Sequence, residues 1–257
     1  MRFINSGGSG DDPNTLLLLK FNDFTDSSIY KRPVTLIAGG TSDTGPVGDG
    51  FGAYADFGGV TTATAKYLRV PDDGTFAALW PTQAWTIEAW VRRYYVSNPN
   101  GWAVYFQHSP LPASFGFVPF SLGLTGPSDQ ASFSYQTASE GDSLFFGTIG
   151  ADWSHLAVQR VGDAIQFFID GVLTHTWAMT GPFVSATGML NIGAFSSTGN
   201  IFGANCMIDD LRVSRVIRYG GDFTPPGPHR REHGRTPHKR ALRLLSPGSW
   251  RGLDRCC

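Results

Sequence analysis

Cleaving a sugar chain takes two carboxyl groups at a set separation, one to protonate the leaving oxygen and one to attack or to activate water. The chain has only three glutamates, Glu88, Glu140 and Glu232, and no short segment places two of them on one strand face. Glu88 has Trp90 and Arg92 as its same-face neighbours, which reads as a surface ladder. Acyl transfer would instead need a nucleophile and a base within hydrogen-bond reach. Gly141-Asp-Ser-Leu144 and Asp152-Trp-Ser-His155 contain both residue types, one short strand apart. Ser143 at a strand start and His155 inside the next strand have no reason to meet, so a turn and a strand account for them. Cys206, Cys256 and Cys257 form neither a disulfide framework nor a zinc spacing. The expectation is a protein that binds or assembles and is not an enzyme.

The elements that would position any site are strands. Charged residues are only 16% of the chain, while 32 glycines and 13% aromatics suit many turns between flat, packed sheets. In Trp85-Thr-Ile-Glu-Ala-Trp-Val-Arg92, Trp85, Ile87, Ala89 and Val91 face one way and the intervening residues the other, a period of two. Ile165–Ile169 meets Val172–Trp177 across Asp170-Gly171, and a two-residue Asp-Gly link predicts a type I′ hairpin. Trp153–Arg160 joins them through Val161-Gly-Asp-Ala164, giving a three-strand meander. Similar short runs recur from Leu16 to Val213, and helical spacing allows a single turn at most, near Asp72–Leu79 or Arg215–Tyr219. Many short strands without crossover helices predict an all-β fold, an antiparallel two-sheet β-sandwich or jelly roll.

The order of several blocks resembles the laminin-G-like, concanavalin A-like lectin jelly roll. These are Leu17-Leu-Leu-Lys-Phe21 with Asp23 and Asp26-Ser-Ser28; Tyr67-Leu-Arg-Val-Pro-Asp72; Trp85–Arg92; Trp153-Ser-His-Leu-Ala-Val158; Phe168-Ile-Asp-Gly171; Leu190-Asn-Ile-Gly193; and Ile208-Asp-Asp-Leu-Arg-Val-Ser-Arg215 with Phe223-Thr-Pro-Pro226. The ordered set is specific for a fold and nearly silent on function. The final block looks like copies in tailed-phage virion proteins, which implies a tail component recognising a glycan or docking to other virion proteins. The alternative is a carbohydrate-binding module of a secreted bacterial protein. Glycosidases of this fold carry an E-x-D-x-x-E strand, and this chain has none.

The resemblance also implies one structural Ca²⁺, an ion that takes six to eight oxygens. First and last strands are neighbours in such folds, so Asp23 and Asp26 could meet Asp209 or Asp210. The competing reading is that Asp209 caps backbone N–H groups or pairs with an arginine. Sugar binding would use a flat aromatic beside polar groups; Tyr94, Tyr95, Trp102, Tyr105 and Trp177 lie at strand ends or near loops, while Trp85 and Trp153 stand in blocks that such folds keep in the core.

Residues 1–15 read as a flexible lead-in, 16–226 as the jelly roll, and 227–257 as a basic tail without packed structure. From His229 onward eight basic residues oppose two acidic ones, a net +6, leaving twelve against nineteen, −7, for the rest. The tail reads either as an electrostatic contact or as out-of-frame peptide, the abrupt change favouring the second. No nucleic-acid partner is expected for the body and no membrane partner, and a homo-oligomer is compatible with the sequence. The longest early apolar run, Leu16–Leu19, is far below the roughly 7–15 residues of an export signal. Synthesis in the cytoplasm and action in a virion, or alternatively outside the cell, are the expectations.

Overall fold

The computed structural model describes residues 12–38, 54–57, 66–82, 84–93, 102–109, 120–125, 130–138, 141–184, 188–197, 200–204 and 206–227. Two antiparallel sheets face each other. The first runs in the order β1 (Thr15–Leu19), β16 (Cys206–Ser214), β5 (Ala84–Arg93), β10 (Ser154–Val161), β11 (Ala164–Ile169) and β12 (Val172–Ala178), with β3 (Ala55–Asp56) also paired to β16. The second runs β2 (Thr35–Ala38), β4 (Lys66–Pro71), β13 (Met189–Ile192), β6 (Trp102–Ser109), β7 (Phe120–Thr125), β8 (Gln130–Gln136) and β9 (Gly141–Thr148). This is the two-sheet sandwich that the period-two pattern predicts.

Alternation explains the core. Trp85, Ile87, Ala89 and Val91 of the first sheet and Leu68, Val70, Leu190, Ile192, Phe120, Leu122 and Phe133 of the second are buried in one cluster. Phe120 is its hub, with ring centroids 4.7 Å from Trp80, 5.6 Å from Trp85 and 5.4 Å from Phe133. Asp72 starts the short helix α1 (Thr75–Leu79) by accepting from the N–H groups of Phe76 and Ala77. His108, fully buried, lies 3.1 Å from the same carboxylate and accepts the Trp80 indole N–H at 3.0 Å. Burial alone would raise the Asp72 pKa, but these hydrogen bonds outweigh it and hold it below the ordinary value.

The β10–β11–β12 meander forms as expected, and Asp170 and Gly171 have φ of 50° and 82°, both in the left-handed region a type I′ turn requires. A single helical turn forms after Asp72. Of the two places where the sequence allows a turn, Arg215–Tyr219 is non-helical, and it runs on to Gly227 as a strap. The hairpin of β14 (Ala194–Ser197) and β15 (Asn200–Gly203) was not legible as two separate strands. Residues 1–11 and the tail from 228 lie outside the described residues.

Candidate functional site

Each sheet has a face turned away from the core, and the two faces differ. On the first sheet the outward positions include Thr86, Glu88, Trp90, His155, Gln159, Phe168 and Arg212, and the strap crosses over them. Thr86 Oγ1 donates to the Val216 carbonyl at 2.8 Å, Gln159 Nε2 to the Tyr219 carbonyl at 2.7 Å, and Trp90 Nε1 to the Pro226 carbonyl at 3.0 Å. Tyr219 and Phe223 stack on each other and close against Phe168 and Ala157. Gly171 is fixed by this contact as well as by its turn: a Cβ there would stand 1.9 Å from the Phe223 carbonyl oxygen.

Beneath the strap lies Glu88, 3% exposed, so the surface-ladder expectation is corrected. Its Oε2 accepts the Tyr219 hydroxyl and its Oε1 is 2.8 Å from Arg218 Nε and 3.9 Å from Arg212 Nε. Burial followed by the Glu88 charge raises the Tyr219 pKa; burial pulls that of Arg218 down, but Glu88, Tyr219 and Asp12 together outweigh it and raise it. His155 sits 3.9 Å from Glu88 and is held neutral, its pKa lowered chiefly by burial against the pull of Glu88 and Asp170. Both carboxylate oxygens are thus engaged, one by Tyr219 and one by Arg218, which leaves neither for a substrate. Ser143 shares a hydrogen bond with Ser134 in the second sheet, so it and His155 stand on different sheets.

The second sheet's outer face presents a different chemistry. Thr35, Arg69, Asn191, Gln107, Ser121, Ser134 and Ser143 are direct partners in successive strands, so one polar row crosses all seven. Beside it, Val104, Gly123, Ser132 and Phe145 make a second row. Gln107, Asn191, Ser121, Gly123 and Ser132 are closed from solvent, while Thr35 at one end of the row and Phe145, 50% exposed at the β9 edge, are open. The amides and hydroxyls offer donors and acceptors together. Neither row contains a carboxylate.

The sequence-chosen residues scatter. Tyr94 and Tyr95 lie outside the described residues, as does Glu140, and Trp102 opens β6 opposite Thr125. Tyr105 is corrected to a core residue, 1% exposed, because a bulge between Val104 and Phe106 turns it inward. Trp177 packs against Tyr135, ring centroids 4.2 Å apart, at the edge of the core. Trp85 is buried as expected, and Trp153 is half-buried against Tyr54.

Asp26, Asp23 and Asp209 each make local hydrogen bonds. Asp26 is buried and accepts from Leu18 N, Ser28 N, Ser28 Oγ and Arg32 N, which makes it a loop staple. Asp23 is exposed and bonds Thr25. Asp209 accepts from the N–H of Asp210, which has φ 49° within a bulge. Among the described residues no three His, Cys, Asp or Glu side chains gather in one place.

A family model described as the concanavalin A-like lectin/glucanases superfamily matches residues 62–218, more than half of the chain. The chain belongs to this superfamily. Among solved structures, a botulinum neurotoxin DC binding domain in complex with rat synaptotagmin II aligns with a TM-score of 0.59 at 15% identity, covering 81% of this chain and 49% of that one. A botulinum neurotoxin type C structure, whose cell entry depends on two ganglioside molecules, aligns with a TM-score of 0.56 at 15% identity, over 79% and 48%. The DC binding domain in complex with SialylT gives 0.56 at 16% identity, over 79% and 48%. The chain therefore spans about half the length of these structures, and the likeness is one of fold. No curated protein matches it. Among the described residues no helix is long and apolar enough to cross a membrane.

Proposed function

We propose that the chain is a non-enzymatic glycan-binding module acting outside the cell that makes it, with the outer face of the second sheet holding the sugar. The observation that carries this is the polar row from Thr35 to Ser143, which is rich in amides and hydroxyls and free of carboxylates. The description of the superfamily by both lectins and glucanases makes hydrolysis the reading to weigh against sugar binding. Hydrolysis would need two carboxyls facing the sugar, and Glu88 is sealed on the opposite sheet. Phe145 supplies an exposed ring for the apolar face of a sugar. The neurotoxin binding-domain structures, solved with rat synaptotagmin II or with SialylT, fit a role in recognition outside the cell.

A second reading, a docking part of a phage particle, rests on the Ile208–Arg215 and Phe223–Pro226 block. That block forms β16 and the strap, work it would do in any setting.

Binding of the chain to a glycan array, in calcium and in EDTA, tests the proposal. Selective binding in both buffers, lost in Gln107→Ala with the fold intact, supports it. Binding to no glycan, or release of reducing ends from a bound polysaccharide, counts against it.

A further inference from the structure

Within the polar row one residue is ionisable. Arg69 stands between Thr35 and Asn191, and the remaining positions are neutral. Its guanidinium is held in place: Nη2 donates to the Tyr67 hydroxyl at 2.8 Å, and the group lies 5.3 Å over the Tyr67 ring. Its Nε is closed from solvent and meets no acceptor. Next in the row, Asn191 is 0% exposed, and neither its carbonyl oxygen nor its NH₂ has a partner. A buried polar group left unpaired is costly and rare enough to call for an explanation.

Resting on the glycan-binding reading, we infer that Arg69 and Asn191 form the subsite for the carboxylate of an acidic sugar. A carboxylate is acceptor-only and takes both orphaned donors at once, Arg69 Nε–H and Asn191 Nδ2–H. A hydroxyl on the same sugar donates to Asn191 Oδ1. An acidic sugar carries both groups, whereas a neutral one leaves the guanidinium unmatched. Stacking on Tyr67 orders the arginine before the ligand arrives, which lowers the entropic cost of binding.

The test uses the full chain and four probes: trigalacturonate and sialyllactose as acids, lactose and cellotriose as neutral counterparts. Calorimetric titration is expected to find an acid preferred, with Arg69→Gln weakening that acid by roughly tenfold or more and any neutral sugar by a clearly smaller factor. Arg69→Lys retains part of the preference. Asn191→Asp, which adds a like charge, removes it. Melting temperatures of the variants separate misfolding from lost recognition, and a ranking of the two acids separates a uronate polysaccharide from a sialylated glycan. Equal affinity for acids and neutral sugars in the wild type overturns the inference and leaves the glycan reading standing. So does an Arg69→Gln variant that loses both classes alike. Failure to bind any sugar removes the reading itself and the inference with it.

Discussion

Arg218 reaches Glu88 from the far end of the chain, its Nε 2.8 Å from Oε1 with both side chains closed from solvent. The contact ties β5 to a strap 130 residues later, and Tyr219 completes it by donating to the other carboxylate oxygen. The acid that stands most prominently in the sequence is thereby a fastening for the first sheet's outer face.

Replacing Glu88 by Gln leaves Arg212 and Arg218 buried without their anion. Breaking a buried pair from one side costs about 3–5 kcal/mol. Urea denaturation should register a loss of this order, while Tyr219→Phe, which removes only the hydroxyl, loses less. Unchanged stability in Glu88→Gln would mean that the strap does not close over the carboxylate.

Gly171→Ala should free the strap. A Cβ would overlap the Phe223 carbonyl at a position already at φ 82°. Left-handed strain alone is worth on the order of 1–2 kcal/mol, and the overlap adds to it. Hydrogen exchange should accelerate at the Phe223 and Leu173 amides, which donate to the Gly171 carbonyl and to Asp222. Gly181, with nothing near its Cβ position, is the control.

Acid should weaken the fold through His155. Its folded pKa is lowered below the ordinary 6.5, mainly by burial, so the unfolded chain binds the proton first. The stabilisation is full above 6.5 and falls as the pH drops below that value. His155→Gln should flatten the stability–pH curve just below pH 6.5. An unchanged slope would place the titrating group elsewhere.

Phe120→Ala should be the costliest single change in the core. The ring touches both sheets' aromatics, and truncating such a residue costs about 3–5 kcal/mol. Phe145→Ala, at an exposed edge ring, should leave the melting temperature nearly unchanged and weaken sugar binding.

Period-two alternation made the core face of β5 and the Asp170-Gly171 hairpin legible from the sequence, because both are local. Glu88 was misread because its cover comes from Arg218 and Tyr219, and no local pattern reports a strap crossing from so far along the chain. Tyr105 was misplaced because a bulge reverses alternation. The polar row was invisible for a different reason. Arg69, Asn191, Gln107 and Ser121 are ordinary in isolation, and only the register across strands lines them up. Phe145 carried one usable signal, an aromatic in an otherwise polar strand start, but nothing in the sequence said it would be exposed.

The most direct test is to follow side-chain carboxamide resonances in ¹⁵N-labelled protein while titrating a sugar selected on the array. Shifts at Asn191 and Gln107, with Gln159 and Gln166 unmoved, are predicted. Shifts confined to Gln159 and Gln166 under the strap, or none at saturating sugar, would contradict a ligand held by the second sheet.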